Sequence, residues 1–250
     1  YNFFLRHMAI TLYYDPASGP ARIIAVFLDI IKDTTVVRTQ ISLAAKDQMK
    51  PEFIEMNPHH TVPTLKDDET GLCLYESTAI LQYLAEKLGA TGKYGLPTDE
   101  KAKWATINCL HNYHNFIAKA NMDVMGAFYR AFFSGQPLDL EAFKAGVVTA
   151  KDKYKLLEAV LVKNGGYISG PEATIADLRA WIDIFQVSNL GGAGTMAVID
   201  FSEEFPAIQK WLLAVKEDAF SESAWAACTG FYGMAAQMFG GPIFRLAEQQ

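Results

Sequence analysis

Three short stretches of the sequence carry residue types whose spacing could do chemistry. The first is YYDPASGPARII, Tyr13 to Ile24, in which Ser-Gly-Pro-Ala stands where a thiol redox centre would carry Cys-Gly-Pro-Cys. The spacing and Pro20 are kept, but Ser18 and Ala21 replace both sulfurs, so thiol–disulfide exchange has no nucleophile here. The second is MNPHHTVPTL, where Pro63 enters a β-like run. A proline at such a turn is a candidate cis bond. It would leave the N–H and C=O of Val62 turned outward, free to pair with an extended peptide ligand, whereas an ordinary turn proline would not. The third is LYESTAI, which puts Glu76 and Ser77 at the junction of a strand and a helix. Unsatisfied N–H groups at that point attract an anion such as a ligand carboxylate, unless Ser77 only caps its own helix.

The second half of the chain offers weaker chemistry. His111 and His114 lie three apart on a helix-like segment, but no carboxylate or third ligand stands at a supporting interval. The expectation is solvated or cleft-lining histidines and no metal. Tyr113, Phe116, Met122, Met125, Phe128 and Tyr129 form an aromatic and methionine-rich zone. Core packing accounts for most of them, with Tyr113 and Phe116 the first candidates to line an apolar ligand pocket.

These residues need elements to hold them. ITLYY is β-rich and GPARIIAVFLDII has apolar residues at helical spacing, with Pro20 suited to a first turn. TTVVRTQIS reads as a second strand and KDQMKPEFIEMNP as a short helix broken by proline; TVPTLKD and LCLYES are strands joined by the DDETG turn. STAILQYLAEKLG closes the unit as a helix ending at Gly89. The order βαβ then ββα predicts a small mixed sheet with helices on its faces. The glycine-rich GATGKYGLPT marks a boundary, after which strand signals nearly vanish and long helical periodicities follow. The expected organisation is residues 1–7 as a remnant or extension before Met8, 8–89 as the α/β domain, 90–98 as linker, 99–234 as an all-helical domain and 235–250 as a tail.

Composition narrows the function. The chain has 250 residues, half of them hydrophobic, which is enough to bury a core. A net charge of −6 without a Lys/Arg cluster argues against nucleic acid. Three cysteines, Cys73, Cys109 and Cys228, at wide spacing suit neither a disulfide framework nor a zinc site. There is no Asn-x-Ser/Thr sequon and no apolar run near bilayer-spanning length. The expectation is a cytoplasmic protein without a membrane span.

From about Ala9 to Trp225 the chain resembles the cytosolic glutathione S-transferases, most closely their serine-using delta and theta-like classes. The resemblance rests on LYYDPASGPAR, KPEFIEMNPHHTVPTL, LYESTAILQYL and GPEATIADLRAW, in that order. It implies an α/β thioredoxin-like first domain with an all-α second domain, glutathione as co-substrate without a prosthetic group, and a homodimer. By the same resemblance Ser18 is the catalytic residue, donating a hydrogen bond that favours the glutathione thiolate, with Tyr13 the alternative because other classes use a tyrosine at the end of the first strand. Val62 beside cis Pro63 would pair with the cysteinyl unit, Glu76 and Ser77 would hold the γ-glutamyl end, and His60 with Gln48 would reach the glycyl region. Two positions depart from the pattern: Thr78 replaces an arginine common after the Glu-Ser pair, and Gln48 stands where many relatives have histidine. Thr174 and Asp177 match the family's capping box and buried aspartate. The implied activity is conjugation of glutathione to hydrophobic electrophiles. The alternative is a nonenzymatic carrier or interaction protein on the same fold.

Overall fold

A computed structural model describes residues 9–188 and 199–221. The proposed start at Met8 with the preceding extension, Trp225, Cys228 and the tail from 235 lie outside the described residues. The chain divides into two compact units at Ala90/Thr91.

In the first unit, β1 (Ile10–Tyr14) leads into α1 (Gly19–Ile30) and then β2 (Val37–Gln40), followed by α2 (Pro51–Met56), the β3 (Thr64–Asp67) and β4 (Leu72–Leu74) hairpin, and α3 (Ser77–Lys87). The sheet order is β2-β1-β3-β4. β1 and β2 are parallel, and β3 runs antiparallel to both β1 and β4. Leu12 and Leu65 face each other across β1 and β3. Together with Ile23, Ile24 and Phe27 of α1 and Ile80, Leu81 and Leu84 of α3, they are fully buried. Each such side chain contributes about 1.5–3 kcal/mol of burial. This core fixes α1 and α3 on one face of the sheet, and with them the places where both helices begin.

Two local features differ from the sequence reading or sharpen it. The stretch read as one helix broken by proline is a 3₁₀ turn (Asp47–Met49) followed by α2, and Pro51 opens α2. Proline lacks an N–H, which a first helical turn does not need, and its fixed φ suits that position. At the end of α3, Gly89 adopts φ +64°. Its N–H bonds to Glu86 O at 3.2 Å and that of Ala90 to Ala85 O at 2.8 Å, a glycine-terminated helix end.

The second unit contains α4 (Glu100–Asn112), α5 (Ile117–Ser134), α6 (Leu140–Asn164), α7 (Ile175–Ser188), the single turn α8 (Phe201–Glu204) and α9 (Pro206–Ala219). A 3₁₀ turn at Tyr113–Asn115 separates α4 from α5. Asp99 and Asp139 cap α4 and α6 by accepting from Ala102 N–H at 2.9 Å and Ala142 N–H at 3.0 Å. The chain leading to α4 is tied into this unit: Tyr94 and Leu96 are buried, Tyr94 N–H bonds to Ala173 O at 2.9 Å, and Ile175 N–H to Gly95 O at 3.2 Å. Residues 175–187 of α7 are all buried. Thr174 stands at its N-cap position, and Asp177 Oδ2 accepts the Thr174 N–H at 2.9 Å. The Thr174 hydroxyl oxygen accepts from Ala176 N–H at 3.3 Å. Asp177 Oδ1 accepts from Ile168 N–H and from Trp211 Nε1, both at 2.9 Å, so one carboxylate joins α7, α9 and the loop before α7. Burial pushes this carboxyl up to about 6 against the pull of those donors.

Candidate functional site

β1 ends at Tyr14, and the chain turns through Asp15, Pro16 and Ala17 into α1. Asp15 organises the turn: one carboxylate oxygen accepts Ala17 N–H and the other Leu43 N–H, each at 2.8 Å. Ser18 N–H bonds to the Asp15 carbonyl at 2.9 Å. Ser18 is the N-cap of α1, extended at φ −83° and ψ 116°, and its Oγ accepts from Ala21 N–H at 3.4 Å. The same hydroxyl donates to the Val62 carbonyl at 3.3 Å. That is longer than the usual O–H···O distance of about 2.7–2.8 Å, so a stronger acceptor can take the proton at little cost.

Val62 sits in a bend built around Asn57, which has no exposed surface. Asn57 Nδ2 donates to Thr61 O and to Thr64 Oγ1, both at 2.9 Å. Its Oδ1 accepts His59 N–H at 2.9 Å. The Val62–Pro63 peptide is cis, and His60 has φ +43° with its side chain exposed. Pro63 then leads into β3.

Register brings the third stretch to the same place. Leu65 of β3 pairs with Leu74 of β4, so the antiparallel hairpin carries Tyr75, Glu76 and Ser77 alongside the residues that precede Leu65. The rings of His59 and Tyr75 lie 5.3 Å apart, which ties the two segments directly. Glu76 holds the N-cap position of α3 and Ser77 is the first helical residue, buried. Ser77 is therefore not the cap of its own helix. Gln48 lies in the 3₁₀ turn, with its Oε1 buried and lacking a hydrogen-bond partner among the described residues.

Ser18, Val62, Pro63, Glu76 and Ser77 thus gather at one end of the sheet, where β1 and β4 finish and β3 starts. Both α1 and α3 begin there. Helix N-termini present unpaired N–H groups and partial positive charge, which favour an anion. Tyr13 lies elsewhere: it is on the sheet face opposite Leu12, packs edge-on against Phe53 of α2 at 6.1 Å, and lines a groove of about 710 Å³ with Gln40, Lys66 and Cys73.

In the helical unit, Tyr113 and Phe116 line a groove of about 420 Å³ between α4 and α6. Tyr113 is only 3% exposed, with the Arg179 guanidinium 4.0 Å over its ring, so it is chiefly a packing residue. Phe116 is half-buried and keeps more surface for a ligand. His111 and His114 are exposed. Burial pushes the Cys109 thiol up to about 11, which keeps it protonated.

Sequence reasoning missed Asp15, Arg22 and Asn57. Arg22 was legible as a charge inside the otherwise apolar face of α1. Asp15 and Asn57 gave no signal beyond being turn-forming types.

Residues 8–86 match the family model described as glutathione S-transferase, N-terminal domain. The chain is 29% identical over 210 residues to a glutathione S-transferase 1 of Manduca sexta, covering 82% of this chain and 87% of that one. Among solved structures it is similar to a delta-class glutathione transferase of Nilaparvata lugens, with TM-score 0.72, 28% identity, and 92% and 99% of the two chains covered. It is also similar to an epsilon-class glutathione S-transferase of the housefly Musca domestica, with TM-score 0.73, 26% identity, and 92% and 98% covered.

Proposed function

Because the chain belongs to the cytosolic glutathione S-transferase family, we propose that it conjugates glutathione to hydrophobic electrophiles, with Ser18 as the group that stabilises the sulfur anion. The single observation that carries this reading is the placement of the Ser18 hydroxyl at the N-terminus of α1, within hydrogen-bond reach of the Val62 carbonyl beside cis Pro63.

Glutathione, as co-substrate, lies along the first unit. The cysteinyl N–H and C=O pair with the backbone of Val62, the γ-glutamyl carboxylate meets the N-terminus of α3 at Glu76 and Ser77, and the glycyl end runs toward His60 and Gln48. The buried acceptor on Gln48 supports that last contact. The thiol then lies over the N-cap of α1. A free thiol near pKa 8.5 is mostly protonated at neutrality, and lowering it by about two units needs about 2.7 kcal/mol of preferential stabilisation of the anion. One hydrogen bond from a hydroxyl to the charged sulfur, together with a helix N-terminus, is of that size. The thiol proton leaves to solvent, the thiolate sulfur forms a bond to the electrophilic carbon, and the leaving group departs with its bonding pair.

The reading includes an apolar electrophile site on the helical unit that uses Phe116 and the edge of Tyr113, a homodimer, and a cytoplasmic location. No described helix is long and apolar enough to cross a membrane. Retention on immobilised glutathione, then conjugation of an aryl halide, tests the activity. Failure of both sinks the proposal. Sizing in solution tests the dimer.

A further inference from the structure

Arg22 lies one turn into α1 and is 4% exposed. Its Nη1 donates to the carbonyls of Pro16 at 2.6 Å and Ala17 at 3.3 Å. Nε and Nη2 are buried and have no hydrogen-bond partner among the described residues. Guanidinium does not give up its proton in proteins, and a buried charge without a counter-ion is costly. The carboxylate nearest in sequence, Asp15, spends its oxygens on Ala17 N–H and Leu43 N–H. The other charged side chains and histidines of the three stretches, His59, His60 and Glu76, are exposed. A full positive charge is therefore held under the turn that presents Ser18, at the end of the sheet where two helix N-termini already favour an anion.

We propose that Arg22 is a positioning residue for the transferase reaction. It clamps the Pro16–Ala17 carbonyls so that the Ser18 hydroxyl is aimed, and its uncompensated charge is matched by the glutathione thiolate when that forms. The Ala17 carbonyl belongs to the peptide that leads into Ser18, so holding it fixes where the N-cap side chain starts. Both bonds come from Nη1; a lysine would keep the charge, but its ammonium would not sit where the rigid guanidinium holds that nitrogen between the two carbonyls. The inference rests on the reading of Ser18 given above and adds a second source of thiolate stabilisation to it.

The test is a pH titration of the bound thiol, followed by the ultraviolet absorbance of the thiolate, in the wild-type, Arg22→Gln, Arg22→Lys and Ser18→Ala proteins, with kcat and KM for glutathione measured alongside. Wild-type protein that neither binds nor conjugates glutathione would sink the functional reading itself. Given an active wild type, Arg22→Gln should raise the bound thiol's pKa by about one unit and lower kcat below neutral pH about tenfold, with KM little changed. Arg22→Lys should restore most of the pKa but less of kcat. An unchanged thiol pKa in a folded Arg22→Gln protein overturns the proposal. If that variant does not fold, Ser18→Ala decides. With Arg22 in place its bound thiol should still ionise below free glutathione, and a return to the free value overturns the proposal equally.

Discussion

The hydroxyl of Ser18 and the carbonyl of Val62, forty-four positions apart in sequence, share a hydrogen bond of 3.3 Å. Both groups are assigned to the ligand in the proposed reaction, and without the ligand each serves as the other's partner. In the proposed reaction, glutathione binding would exchange one long bond for two better ones: a cysteinyl N–H would donate to Val62, and the Ser18 proton would turn to the sulfur. Neither group is left buried and unsatisfied at any stage, which is the condition for keeping a polar site stable.

Replacing Ser18 by Ala removes the oriented donor to the anion. Turnover with an aryl halide should fall roughly ten- to a thousandfold, with KM for glutathione nearly unchanged. Tyr13→Phe should stay within about twofold, because its ring lies on the other face of the sheet against Phe53. The reverse pattern in a steady-state assay would transfer the role to Tyr13.

In the proposed reading the Glu76 carboxylate accepts from the γ-glutamyl ammonium while the helix N-terminus takes the carboxylate, so Glu76→Gln should weaken binding of glutathione and of S-methylglutathione alike, by roughly ten- to a hundredfold, the size of a hydrogen bond involving a charged group. Ser18→Ala should leave S-methylglutathione affinity intact, since that ligand has no thiol to ionise. Calorimetric titration with both ligands separates the two ends of the site. Equal losses for S-methylglutathione in both variants would contradict the assignment.

Asp177 carries a pH signature in stability. Burial raises its folded-state value to about 6, above the ordinary carboxyl value. Between about pH 4 and 6 the folded chain therefore holds a proton that the unfolded chain has lost, so stability should fall as pH rises through that window. It should then level off. Urea unfolding across the window should show the decline in the wild type and its absence in Asp177→Asn. That variant should also be less stable throughout, by about 3 kcal/mol, because an amide cannot accept from all of the donors now on the carboxylate.

Gly146 sits where α6 crosses α5, and a Cβ placed there would stand 1.7 Å from the Asp123 carbonyl oxygen. That neighbour is backbone and cannot swing aside, so Gly146→Ala must part the two helices. A loss of at least about 2 kcal/mol is expected in chemical denaturation, against near-neutrality for Gly135→Asn, where φ +67° is a conformation asparagine tolerates and a Cβ meets open space.

Much of the site was legible because its residue types are tied to local conformation. Pro63 before a β-like run, Ser18 before a proline-initiated helix and Thr174 three residues before Asp177 each state their own backbone geometry. Asp15 and Asn57 were not legible. Their importance comes from which distant amides they meet, Leu43 N–H for one and the Thr61–Thr64 turn for the other, and a turn-forming residue type says nothing about that. Tyr113 was legible only in part: it does line the groove between α4 and α6, but its packing under Arg179, which the sequence could not show, leaves it 3% exposed.

By itself the sequence determined the element order, the change from a mixed sheet to helices, and the missing sulfurs at Ser18 and Ala21, because periodicity, turn chemistry and side-chain identity are local properties. Only the tertiary structure decided that the ends of β1 and β4 and the start of β3 meet, that Ser18 reaches Val62 while Tyr13 turns to the opposite face, and that Arg22 is buried without a counter-ion among the described residues. Those follow from strand register and from which groups the core shuts away from water, and both depend on contacts between segments far apart in the chain.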